Sequence, residues 1–218
     1  MSNWMQKVCL MAVACLLLSV CGKGTKGQEQ AEAKTKTAVA EAAKTPQTID
    51  IYCYDDFPVD KAQFLRHELQ KVYPSVVIVD RRLPLPKEHY YAPRHRYSGV
   101  GLLKDLKKYT KDKVVLGLTD EVIYQSNELS PTFGVFGISF VGARVSVISS
   151  TQPSGKKHPD NHLVELMMHE LGHAFGLRHC QDEHCFMVDA EHGNKFSQTP
   201  SFCKECKAFL NKKGWKLK

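Results

Sequence analysis

Residues 169–179 read His169-Glu170-Leu171-Gly172-His173-Ala174-Phe175-Gly176-Leu177-Arg178-His179. On a helix, His169 and His173 leave the same face one turn apart. Two imidazoles placed in this way can reach one Zn²⁺ at roughly 2.0–2.1 Å each. Glu170, next to the first ligand, can hold a water without being a ligand itself. Gly176 can end the helix with a turn that a β-carbon would hinder, and the chain can then swing His179 back as a third ligand. Three protein ligands leave a fourth zinc position open, the arrangement of a catalytic site. The implied chemistry is peptide-bond hydrolysis. The zinc polarises the scissile carbonyl and lowers the pKa of its water toward about 7. Glu170 takes the water proton as general base and passes it to the leaving amine. The plainer reading is a buried helix whose histidines merely hydrogen-bond. Three histidines at this joint spacing, with Glu and Gly in place, argue against it.

The flanking sequence supplies a mixed set of elements. Residues 48–54 alternate and read as a strand, and 76–80 and 114–118 as two more. Asp60 can cap a helix to residue 71 with Phe64, Leu65 and Leu69 on one face, and residues 101–109 form a second with Leu102, Leu103 and Leu106 inward. Residues 81–96 hold prolines and basic residues and read as an ordered loop. Residues 133–140 and 144–149 look like two joined strands. Asp160 or Asn161 caps the motif helix, expected from about residue 162 to residue 175. This order predicts an α/β (α+β) domain, a mixed sheet with helices packed on it.

Cys180 follows His179 directly, and Cys185, Met187, Cys203 and Cys206 come after it. Cys203-x-x-Cys206 with an upstream cysteine pair has the spacing of a structural zinc site. The whole pattern, HExxHxxGxxHCx4CxM followed by CxxC, resembles the archaemetzincins, a family of metzincin-type zinc peptidases. The resemblance runs from about residue 48 to the C-terminus, through Leu83-Pro84-Leu85-Pro86, Tyr97, residues 116–121, Phe136-Gly137 and residues 144–149. It implies a twisted mixed sheet, a backing helix, an active-site helix and a small cysteine-rich C-terminal subdomain. It also implies two zinc ions: a catalytic one on His169, His173 and His179, and a structural one on Cys180, Cys185, Cys203 and Cys206. Met187 becomes the Met-turn residue under the catalytic metal. A sheet strand along the cleft should bind extended peptide by pairing with it, with residues 134–139 or Val145–Ser149 as candidates. Fifteen residues separate Met187 from Cys203, where about seventeen are usual in the family.

Residues 1–20 read as a lipoprotein-type signal peptide: Lys7, then an apolar run from residue 8 to 20, too short to span a bilayer, which takes about 20 apolar residues. The run ends at Leu18-Ser19-Val20-Cys21, similar to a bacterial lipoprotein cleavage box in which Cys21 is lipidated. Val20 departs from the small residue usual there. Residues 21–47 lack aromatics and suit a flexible tether, leaving residues 48–218 as the catalytic domain. The expectation is thus an exported bacterial lipoprotein, a monomer held to the membrane on its periplasmic or cell-surface side, acting on peptide or protein. The anchor and tether depart from the mainly intracellular setting of the family. Disulfides among the four cysteines are the other reading for an exported chain.

The bulk numbers fit. The chain has 218 residues, eight cysteines, 43% apolar and 24% charged residues, which excludes whole-chain disorder and a coiled coil. A net charge of +7 permits an anionic partner but does not establish one. Arg81, Arg82, Arg94 and Arg96 with Tyr90, Tyr91 and Tyr97 read as a solvated loop, and no nucleic acid is expected. Cys53 should be a buried thiol, His184 a surface side chain, and His158 and His162 exposed. A protein that keeps zinc but only binds peptides or anions at a surface, with little hydrolysis, is the alternative function.

Overall fold

Strand β1, Thr48–Cys53, alternates Ile49 and Ile51 into the core, and both are fully buried. Its parallel partners are β2, Val76–Ile78, and β5, Lys113–Thr119. Parallel neighbours need crossovers, and helices supply them. Helix α1, Val59–Gln70, links β1 to β2, and α2, Gly99–Lys107, precedes β5. Strand β9, Val145–Ser149, pairs parallel with β5, and β8, Gly137–Ser139, closes the sheet antiparallel. The order is β2-β1-β5-β9-β8. A second sheet holds β3, Tyr90–Tyr91, β4, Arg96–Ser98, β6, Ile123–Gln125, and β7, Phe133–Val135, in the order β3-β4-β6-β7. The computed structural model describes residues 47–126, 131–189 and 201–218. Signal peptide 1–20, Cys21 and all but the end of the tether lie outside these residues. Among those described, no helix is long and apolar enough to cross a membrane.

Apolar side chains cover both faces of the main sheet. On one face Leu65 and Leu69 of α1 meet Leu163, Leu166 and Met167 of helix α3, Asp160–Phe175. On the other, Leu102, Leu103 and Leu106 of α2 cover Val115, Val145 and Val147. Each such leucine contributes about 1.5–3 kcal/mol by leaving water. The C-terminal segment docks on the α3 face. Phe202, Leu210 and Trp215 join that core, with the Trp215 ring against Tyr73, Phe175 and Phe202 at 5.4–5.9 Å between centroids. Helix α4, Lys204–Asn211, carries Cys206 in its first turn.

Several details differ from expectation. Ser98 caps α2 two residues early, its Oγ accepting from the Gly101 N–H at 3.2 Å. The stretch 133–140 is not one strand. It breaks at Phe136, so that β7 and β8 serve different sheets. Val145–Ser149 is interior and fully buried, so it offers no edge to a peptide, whereas β8 ends the sheet. His158 is buried, not exposed. It stacks edge-on to Phe136 at 4.8 Å and faces His162. Arg82 donates to the carbonyls of Tyr54, Asp55 and Phe57, and Arg96 to that of Thr132, so both guanidinium groups brace backbone.

Candidate metal centre and active site

Helix α3 carries His169, Glu170 and His173 in its last two turns, all buried. It stops at Gly176, whose φ of 115° is left-handed backbone, and the Leu177 N–H bonds back to the Gly172 carbonyl at 2.9 Å. The chain then reverses and brings His179 against the other two imidazoles. Ring centroids are 4.7 Å apart for His169–His173, 5.5 Å for His169–His179 and 4.8 Å for His173–His179.

Hydrogen bonds set the ring orientations. His169 Nδ1 lies 2.6 Å from the Phe186 carbonyl, and His173 Nδ1 lies 2.8 Å from that of Leu177. A carbonyl only accepts, so each ring carries its proton on Nδ1, which leaves Nε2 the lone-pair nitrogen of the neutral ring. Those two Nε2 atoms are 3.1 Å apart. Two lone pairs facing one another at that distance repel, and a cation between them removes the conflict. Burial pushes His169 down to about 4, with His173 and His179 adding to the effect, and burial also lowers His173. Neutral imidazole is the ligand form, so this donor set fits zinc. His179 is half-exposed, and its Nδ1 sits 3.2 Å from Asp189 Oδ2, which orients the ring. Sequence reasoning missed Asp189. Its only signal was an acid two residues past Met187.

Glu170 is buried beside this cluster. Burial raises its carboxyl to about 7, partly opposed by the hydrogen bond from Ser139. Ser139 Oγ, on β8, lies 2.7 Å from Glu170 Oε2 and 2.9 Å from the Glu170 carbonyl, and Ser146 Oγ lies 3.0 Å from that same carbonyl. Neither serine was singled out from the sequence. Met187 is fully buried under the helix, and the Cys180 N–H donates to its carbonyl at 2.7 Å.

Cys180, Cys185, Cys203 and Cys206 form a second group, their sulfur atoms all within 4.8 Å of one another and none in a disulfide. The Cys180 and Cys203 sulfurs are 3.8 Å apart. N–H groups of Met187 and Cys203 point at Cys185 Sγ from 3.4 and 3.3 Å. Burial pushes the Cys185 and Cys206 thiols up, and the crowded neighbouring cysteines raise Cys206 further. Four thiolates at one point need a cation, and four convergent sulfurs suit tetrahedral zinc. His184 and Cys53 belong to neither group.

Comparison with known proteins identifies the family. The model of Peptidase family M54 matches residues 70–212. Archaemetzincin from Methanopyrus kandleri is 34% identical over 141 residues, covering 63% of this chain and 79% of the relative. Archaemetzincin from Pyrococcus abyssi is 32% identical over 148 residues, 61% of this chain and 77% of its own. Among solved structures, M. kandleri archaemetzincin superposes with a TM-score of 0.63 at 26% identity, over 77% of this chain and 94% of that one. The Archaeoglobus fulgidus archaemetzincin complexed with malonate gives 0.63 at 25% identity, over 75% and 99%. The chain therefore belongs to peptidase family M54, the archaemetzincins, which are zinc-dependent peptidases.

Proposed function

We propose that this chain hydrolyses peptide bonds with Glu170 as general base and a zinc ion held by His169, His173 and His179. The observation that carries the reading is the convergence of three imidazoles, with the Nε2 atoms of His169 and His173 3.1 Å apart and Glu170 next in the chain. Zinc bound there supplies a Lewis acid for the scissile carbonyl and brings the pKa of a water toward about 7. The protein's own residues do the rest. The Phe186 and Leu177 carbonyls and Asp189 hold the three imidazoles in their ligand tautomers. Glu170 takes a proton from water and returns it to the leaving amine. The end strand β8 runs directly over Glu170, so a peptide pairing with that edge lies across the base.

A second zinc on Cys180, Cys185, Cys203 and Cys206 is structural in this reading, giving two ions per chain. The chain acts as a monomer. Lys7, the apolar run and Cys21 further support export and lipid anchoring, with the domain displayed on the periplasmic or cell-surface side. The test compares wild type with Glu170→Ala on a mixed peptide library at equal zinc loading. Cleavage should disappear in the variant. Equal cleavage by both would remove Glu170 from the chemistry. Inertness of both would favour a zinc-containing protein that only binds peptides or anions.

A further inference from the structure

We infer that Ser139 is a positioning residue for Glu170, fixing the orientation of the carboxylate through a hydrogen bond to its Oε2. This rests on the reading of Glu170 as the base. Residues two apart on a strand share a face, and β8 turns Gly137 and Ser139 toward α3. A β-carbon on Gly137 would lie 2.7 Å from both Glu170 Cγ and Oε1, so only glycine lets the carboxylate rest against the strand. Ser139 Oγ sits on the other oxygen, 2.7 Å from Oε2. The strand thus meets the two carboxylate oxygens differently: one is tethered, and the other faces backbone bare of a side chain.

The hydroxyl has one proton and two acceptors on the same residue, Oε2 and the backbone carbonyl at 2.9 Å. Ser146 resolves the competition. Its Oγ reaches the Glu170 carbonyl at 3.0 Å, so that carbonyl keeps a partner when Ser139 donates to the carboxylate. A buried glutamate has three side-chain torsions to order. Without the serine the carboxylate loses this tether and can turn away. The two serines therefore divide the work: Ser146 holds helix backbone, and Ser139 holds the reacting group.

The experiment uses the full chain, zinc-loaded, with one peptide that the wild type cleaves. The hydrogen bond is made to a charged group, so Ser139→Ala should lower kcat on the order of 10- to 100-fold, with KM and zinc content unchanged. Ser139→Thr should restore most of the rate. Ser139→Val, which has the shape of threonine without its hydroxyl, should not, and this pair decides the matter if the alanine variant folds poorly. A Ser139→Val rate equal to that of Ser139→Thr, with Glu170→Ala inactive, overturns the role of Ser139 alone. Glu170→Ala with wild-type activity overturns the reading of Glu170 on which it depends.

Discussion

Gly172 stands in the middle of α3, where alanine should be preferred by about 0.8–1.0 kcal/mol on helix propensity alone. Here the exchange should instead destabilise. A β-carbon at Gly172 would lie 2.3 Å from Met187 Sδ and 3.2 Å from its methyl carbon, whereas relaxed contacts sit near 3.5–4.0 Å. Met187 is fully buried, and its backbone is pinned by the Cys180 N–H at 2.7 Å and by its own N–H at 3.4 Å from Cys185 Sγ. The overlap of more than an ångström has to be relieved by moving the sulfur or the helix, and such overpacking costs about 1–3 kcal/mol. Subtracting the propensity gain leaves a net loss of about 0–2 kcal/mol. Because the helix also carries His169 and His173, zinc occupancy should fall with it. The assay is urea unfolding of Gly172→Ala, alone and in a Met187→Ala background. With the sulfur gone the same exchange should become stabilising by nearly the full propensity difference. The two effects should then differ by about 1–3 kcal/mol, the size expected for residues in contact. The same sign in both backgrounds would refute the steric account.

Three further outcomes are expected. Burial, with His162 and Lys61 nearby, pushes His158 down from 6.5 to about 4; the unfolded chain then takes up a proton that the folded one refuses, so stability falls as pH drops through that window and levels off below it. The contribution lost between pH 7 and 5 is about 2 kcal/mol, and unfolding curves of His158→Leu should show a correspondingly shallower slope than wild type. Zinc analysis should give two ions per chain, and one when Cys203 and Cys206 are both replaced by serine; a count of one in each would dispose of the second site. Cys21→Ala should move the protein from the detergent to the aqueous phase in a detergent partition of cells expressing the full chain, and unchanged partition would exclude the lipid anchor.

What the sequence made legible was periodic or adjacent. The imidazoles of His169 and His173 sit one helical turn apart, and Gly176 announces the reversal, so a one-dimensional pattern carries the three-dimensional convergence. The strands of β1, β5 and β9 were legible because apolar runs flanked by turn residues leave few alternatives. Short strands at the sheet margins were not. β3, β4 and β6 have two or three residues each, too few for a period, and their pairing is decided by partners far along the chain. Phe136 shows the same limit. It sits inside an apparently continuous β stretch, yet that stretch leaves one sheet for another there. His158 precedes the motif helix, where exposure is expected, but its ring is covered by Phe136, which lies more than twenty positions away in sequence.

The residues that tune the site were hidden for the same reason. Ser139 and Asp189 touch Glu170 and His179 from other segments, and a lone serine or aspartate carries no local signature. The adjacency of His179 and Cys180, by contrast, now has a physical sense. His179 is the half-exposed member of the three imidazoles, with the least burial to hold it. Directly after it the chain is tied down: Cys180 joins the sulfur cluster and bonds to Met187, and it bridges to Val188, one residue before the Asp189 that orients His179. Cys185, farther along the same loop, is bridged to Ser201. The cysteine cluster therefore closes a loop whose two ends deliver the third imidazole and its carboxylate partner to the same place. A histidine on an unclosed loop would have to be ordered by the metal itself, at an entropic cost of about 1–2 kcal/mol for each backbone residue fixed. Placing His179 one residue from the clamp removes that cost at the imidazole cluster once the cysteine cluster has closed.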